Sequence, residues 1–237
     1  PFVKMISPST LLEQKIRYHQ DRYYNDQPEI SDQEFDELWD ELRTLDPNNE
    51  LFQTVGTDTD AGFPKRDHVI PMMSQEKASN PDQFLKWATR INHDRYIVQY
   101  KLDGASLELQ YQEGKLNAGV TRGDGMVGDD ITRNVRRMRN VVQTLPLPFT
   151  GAIRGEVIME HEIHRRYYAD KANCRNAANG LMKRKDGVGS EHLRVICYDA
   201  ISSDNAVTFL DELEKLRWLT RVGVDIVHYQ VFQDPDR

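Results

Sequence analysis

Residues 106–120 read SLELQYQEGKLNAGV. Leu107, Leu109 and Tyr111 alternate with Glu108 and Gln110, and Leu116, Ala118 and Val120 resume the alternation after Glu113-Gly114. Apolar residues at period two on both sides of a glycine-containing turn predict an antiparallel hairpin with one buried face. Further strands are expected at Tyr96 to Tyr100, Ala152 to Met159, Val195 to Ala200 and Val224 to Phe232, with helices at Asp129 to Asn140 and Leu210 to Leu219. This part of the chain therefore reads as α+β with a mainly antiparallel sheet.

Upstream the period changes. Thr10 and Glu13 have capping-box spacing, and Leu12 and Ile16 begin an apolar stripe. Ser31 and Glu34 form a second such box, followed by Phe35, Leu38, Trp39, Leu42 and Leu45 at helical spacing, until Pro47 and Asn48 stop the helix. Thr57 to Pro64 is rich in Asp, Thr and Gly and reads as a linker. The expected organisation is a small helical domain at residues 1–64 and a larger domain at 65–237.

Charge divides the same way. Residues 1–64 hold 5 basic and 14 acidic side chains, whereas 65–237 hold 26 and 24. The acidic first part is a poor surface for a polyanion and suits either plain solubility or a cationic ligand. No run of about 18 apolar residues predicts a membrane span. The N-terminus has no signal-peptide pattern. The two cysteines, Cys174 and Cys197, form no C-x-x-C pair, and a reducing cytoplasm is the default expectation.

Just before the hairpin stands Lys101-Leu102-Asp103-Gly104. K-x-D-G alone is weak, since a chain of this length contains one by chance about one time in twenty at average usage. Lys101 taken alone reads as a surface lysine at a strand end. The order of three downstream motifs adds weight: Thr121-Arg122-Gly123-Asp124-Gly125, Arg154-Gly155-Glu156, and Cys174-Arg175-Asn176-Ala177-Ala178. Gly123 to Gly128 is a literal G-x-G-x-x-G, but the strand before it is the second arm of a hairpin. No acidic residue stands about 20 positions further on, so a dinucleotide fold of the βαβ kind is rejected. Arg122 and Arg175 are candidates for holding phosphate oxygens, which guanidinium groups match bidentately. Glu156 is a candidate for ribose or metal contact, and Asp103 shares the face of Lys101 if the strand continues. His161 and His164 lack partners at metal-ligand spacing and read as solvated. No protein metal site is expected.

This order of motifs resembles the adenylation domain of bacterial-type NAD-dependent DNA ligases, and residues 1–64 resemble the small helical domain with which that family binds the nicotinamide mononucleotide half of NAD. The resemblance rests on Tyr23-Tyr24, on Pro28 to Asp36, on Pro71-Met72-Met73-Ser74 and on the motifs above. It implies that Lys101 carries AMP as a phosphoramide. It also implies NAD contacts by Tyr23, Tyr24, Asp32, Phe35, Asp36, Ser74, Gln99, Arg122, Arg154, Glu156, Arg175 and Lys183, with Asp103 assisting Lys101. Magnesium is implied for the phosphoryl transfers and nicked duplex DNA for the later steps. Five departures stand out. Phe35 replaces a usual Tyr and Gln99 a usual Glu. Lys183 replaces a usual Arg, and the stretch between Tyr24 and Pro28 is about one residue short. The family's later D-G-V-V-I-K segment is missing. The expectation is an NAD-dependent ligase portion that needs a C-terminal remainder or second subunit to seal nicks and that grips DNA weakly alone. Two alternatives stay open: an ATP-dependent covalent nucleotidyltransferase and a non-catalytic nucleotide-binding subunit.

Overall fold

A computed structural model describes residues 7–25, 29–53, 62–73 and 75–233. Helix α1 spans Pro8–Asn25 and α2 spans Asp32–Leu45, followed by a short 3-10 turn at Glu50–Gln53. The Ser31–Glu34 capping box forms: the Ser31 hydroxyl accepts from the Glu34 N–H, and the Glu34 carboxylate accepts from the Ser31 N–H. The first helix starts earlier than expected, because the Ser7 hydroxyl rather than Thr10 caps it, accepting from the Thr10 N–H. Leu12, Ile16, Leu38, Leu42 and Leu51 are buried together, with Phe35, Trp39 and Phe52 packed against them.

The larger unit is built on a four-stranded antiparallel sheet. In chain order come β1 (Lys65–Asp67), α3 (Pro81–Ile91), β2 (Tyr96–Gln99), β3 (Ala105–Gln112), β4 (Lys115–Thr121), β5 (Val127–Asp129) and α4 (Thr132–Val135). They are succeeded by β6 (Gly151–Ile158), α5 (His161–Tyr167), α6 (Cys174–Met182), β7 (Arg194–Ser202), α7 (Glu212–Arg221) and β8 (Tyr229–Phe232). The sheet order is β4-β3-β6-β7, and β1–β5 and β2–β8 form two small ribbons. The hairpin turn has Glu113 and Gly114 both at positive φ, 50° and 77°, as a two-residue type I′ connection requires.

Register sorts the chemistry. Ser106 pairs with Glu156, Glu108 with Arg154 and Gln110 with Ala152, which sets these polar side chains on one face. Leu107, Leu109, Tyr111, Ile153 and Val157 alternate onto the other face and join the main core, which includes Leu181, Leu216 and Leu219.

Two expected elements are shorter. The helix expected from Asp129 to Asn140 survives only as α4. After it the backbone goes into turns, and the Arg139 N–H donates to the Leu193 carbonyl, so a tertiary contact replaces the helical ladder. The last strand is confined to β8 because residues 225–227 instead run beside β7, where the Cys197 N–H donates to the Asp225 carbonyl and the Val227 N–H to the Cys197 carbonyl. Most of the expected linker lies outside the described residues.

Candidate active site

Lys101 lies in the connection between β2 and β3 and is exposed. The strand does not continue through Asp103, as the chain is irregular from Tyr100 until β3 begins at Ala105. The tetrapeptide's glycine explains the path. A Cβ on Gly104 would stand 2.2 Å from the Val157 carbonyl oxygen and 2.9 Å from Glu156 Cγ. Only glycine lets the chain run this close to β6, and the closeness brings Lys101 within electrostatic reach of Glu156.

A cleft forms there, lined by Gly104, Ala105, Ser106, Thr121, Arg122, Gly123, Glu156, Arg175, Asn179 and Met182. Arg175 Nη1 lies 3.3 Å from the exposed Asp103 carboxylate. Ser106 Oγ donates to Glu156 Oε2 at 3.1 Å. Burial pushes the Glu156 carboxyl above its ordinary range, only partly countered by the Ser106 hydroxyl, the charges of Arg175 and Lys101 and the Gly104 N–H. Glu156 is thus a half-sheltered carboxylate facing two cations. Helix α6 supplies Arg175, Asn179 and Met182 at i, i+4 and i+7, a single helical face. Asn173 caps that helix by accepting from the Asn176 N–H at 2.8 Å.

The loop after β4 carries Arg122. Its Nε donates to the Met72 carbonyl at 3.2 Å. Gly123 is at φ 56°, and a Cβ there would stand 1.9 Å from the Val127 carbonyl oxygen. The glycines of the G-x-G-x-x-G thus serve a tight reversal from β4 into β5, with no crossover helix. Asp124 accepts from the Met126 and Val127 N–H groups, both at 2.8 Å. These bonds hold its carboxyl below the usual range.

The expected residues divide into those at the cleft and those elsewhere. Arg122, Glu156 and Arg175 line it, and Lys101 and Asp103 adjoin it through Glu156 and Arg175. Arg154 does not line it. Its Nε donates to Glu108 Oε2 at 3.2 Å and its Nη2 to the Ile70 carbonyl, so the guanidinium is held under residues 67–72. Gln99 ends β2, exposed, opposite Tyr229. Lys183 caps the far end of α6, beyond the lining residues. Phe35 stands edge-on to Trp39 at 6.3 Å and packs against the small helical core. Ser74 and the side chains of Tyr23, Tyr24, Asp32 and Asp36 lie outside the described residues. Ser106, Thr121, Asn179 and Met182 join the cleft without belonging to any expected set; the i+4 and i+7 spacing from Arg175 is the sequence signal that marks the last two.

A lysine on an irregular connection, a sheltered carboxylate and two guanidinium groups thus gather at or beside one cleft of the antiparallel sheet. The family model of the NAD-dependent DNA ligase adenylation domain matches residues 60–236, and that of the DNA ligase-like, N-terminal NAD+-binding domain matches residues 6–55. The chain belongs to the NAD-dependent DNA ligase family. A DNA ligase of Treponema denticola is 52% identical over 231 residues, covering 91% of this chain and 36% of its own length. A DNA ligase of Treponema pallidum is 49% identical, covering 92% of this chain and 28% of its own. One from Leptospira interrogans serovar Lai is 37% identical over 80% of this chain. The chain spans about a third of the length of these curated relatives. Among the described residues no helix is long and apolar enough to cross a membrane.

Proposed function

We propose that this chain performs the first step of NAD-dependent ligation, with Lys101 as the nucleophile. The carrying observation is the convergence of Lys101, Asp103, Glu156 and Arg175 at one cleft on a chain of this family. The Lys101 amine, once deprotonated, attacks the α-phosphorus of NAD. The N–P bond forms as the P–O bond to nicotinamide mononucleotide breaks, and the lysine's protons pass to solvent. Arg122 and Arg175 neutralise phosphate oxygens, and Asp103 orients Arg175 through their 3.3 Å contact. Glu156, beside Lys101, favours its approach and serves the ribose. Gln99, Lys183 and Ser74 are proposed as further NAD contacts, and Arg154 as a support acting through Glu108 and Ile70. The nicotinamide half is assigned to Tyr23, Tyr24, Asp32, Phe35 and Asp36.

Magnesium, when bound, neutralises phosphate charge. Asp103 and Glu156 are carboxylates of the right kind for it. Among the described residues no three His, Cys, Asp or Glu side chains form a group able to hold an ion. An ion carried largely by substrate phosphates, with one or two carboxylates, needs no such group. Two separate cores support two domains, proposed at 1–64 and 65–237; Phe63, two residues before the second begins, already packs on the second core. The two free cysteines fit a reducing cytoplasm. Nicked duplex DNA is the proposed acceptor of AMP, with the remainder of a full-length ligase required for sealing.

The test is incubation with α-phosphate-labelled NAD or ATP, followed by denaturing electrophoresis and mass spectrometry. Label from NAD on Lys101 is expected. Label from ATP at equal efficiency, or AMP on Lys115 or Lys183, overturns the reading.

A further inference from the structure

Glu108 lies outside the expected site. Its side chain is 0% exposed on the polar face of β3, where an apolar residue would satisfy the sheet equally well. A buried carboxylate is costly unless fully partnered, and apolar replacements of buried ion pairs are often as stable. Its partners show what the charge achieves. The Val69 N–H donates to Oε1 at 2.9 Å, Gln110 Nε2 donates to the same oxygen at 3.0 Å, and His68 Nδ1 lies 3.3 Å from it. Arg154 Nε donates to Oε2 at 3.2 Å.

The same cluster grips residues 67–72 by their backbone. Gln110 also donates to the Asp67 carbonyl at 2.8 Å, and Arg154 to the Ile70 carbonyl. Backbone contacts fix where the segment runs whatever its side chains are. The segment in turn holds the cleft loop. The Met72 N–H donates to the Gly125 carbonyl at 2.8 Å, and the His68 N–H to that of Met126 at 2.9 Å. The Met72 carbonyl accepts from Arg122 Nε, and the Arg122 carbonyl meets His68 Nε2 at 2.9 Å. A continuous path therefore runs from the Glu108 carboxylate through residues 67–72 to the guanidinium at the cleft.

We propose that Glu108 is a positioning residue for the nucleotide site, clamping residues 67–72 to the sheet so that Met72 sets the aim of Arg122. It rests on the NAD reading above only for what Arg122 holds; the clamp itself is a property of this chain.

The test has two arms. In amide hydrogen exchange, Glu108→Gln is expected to speed exchange at Val69 and Met72 about tenfold or more while Leu107 and Leu109 keep their protection. Should Glu108→Gln not fold, Glu108→Leu with Arg154→Leu removes both charges together, and the same selective loss is expected. Unchanged protection of residues 68–72 overturns the proposal without reference to any ligand. The second arm is calorimetric titration with NAD. Glu108→Gln is expected to weaken binding about tenfold in the native background but less than about twofold in an Arg122→Lys background, where the bond to Met72 is absent. An equal factor in both backgrounds means a general structural effect and overturns the positioning role. Failure of the unaltered chain to bind NAD sinks the NAD reading instead, and the exchange arm still decides the clamp.

Discussion

At the scale of single residues, two glycines give opposite expectations. Gly104 sits against the Val157 carbonyl, with 2.2 Å between that oxygen and any Cβ. Gly104→Ala is expected to destabilise the chain by about 1–3 kcal/mol, as overpacking does. It should abolish AMP attachment as well, because the Lys101 connection must move. At Gly180, in the last turn of α6, an added Cβ would meet nothing within 4 Å, and the backbone is ordinary helix. Gly180→Ala should therefore stabilise by about 0.5–1 kcal/mol. Thermal unfolding of the two variants checks both signs. Asp124 supplies a pH expectation. The N–H groups of Val127 and Met126 lower its folded pKa, so the stability it contributes is present above the ordinary carboxylate value and lost as pH falls through the lowered one. The gap in melting temperature between the native chain and Asp124→Ala should be steady above about pH 5 and close on further acidification. A gap unchanged at about pH 3 would contradict this.

Elements depend on one another in ways that local patterns hide. Asn134, on the short α4, donates from Nδ2 to the carbonyls of Met182 and Arg184, both at 2.8 Å, and so ties down the end of α6. Helix α6 carries Arg175, Asn179 and Met182 to the cleft. Asn134→Ala leaves two carbonyls without that donor and should cost about 1–3 kcal/mol. It should also weaken NAD binding more than Ser31→Ala, a cap deletion in α2 expected to cost about 1 kcal/mol. Chemical denaturation together with NAD titration of each variant tests the contrast; equal binding losses would deny α6 its special place. The residues around α4 suit a long helix, and locally they read as one. The bonds that end it, from Arg139 to Leu193 and from Asn134 to Met182 and Arg184, join positions about fifty apart. No local pattern displays those.

For the whole molecule, the expectation is nucleotide choice without complete ligation. NAD should modify Lys101 far better than ATP does. The chain alone, about a third of its relatives' length, should not seal a nicked duplex in repeated turnover. Its acidic balance, pI about 5.5, offers little non-specific hold on a polyanion. A nicked-duplex assay with NAD and magnesium decides this, and robust multiple-turnover sealing would refute it. Adding the remainder of a full-length relative, fused or separate, should restore sealing.

The order of motifs along the chain was enough for the family, and the glycine of the first motif is needed for the close approach that Gly104 makes to β6. Period two in residues 106–120 likewise determined the antiparallel hairpin, since alternation is a local consequence of the pleat. Residue 154 marks the limit of such reading. An arginine two positions before Glu156 looks equally fit to meet a phosphate, yet its guanidinium is taken by Glu108 and the Ile70 carbonyl. Only the tertiary structure decided that. Which cations face a cleft depends on what lies over the sheet, and residues 67–72 reach that face from some forty positions upstream of Glu108, through backbone hydrogen bonds that carry no signature in the sequence.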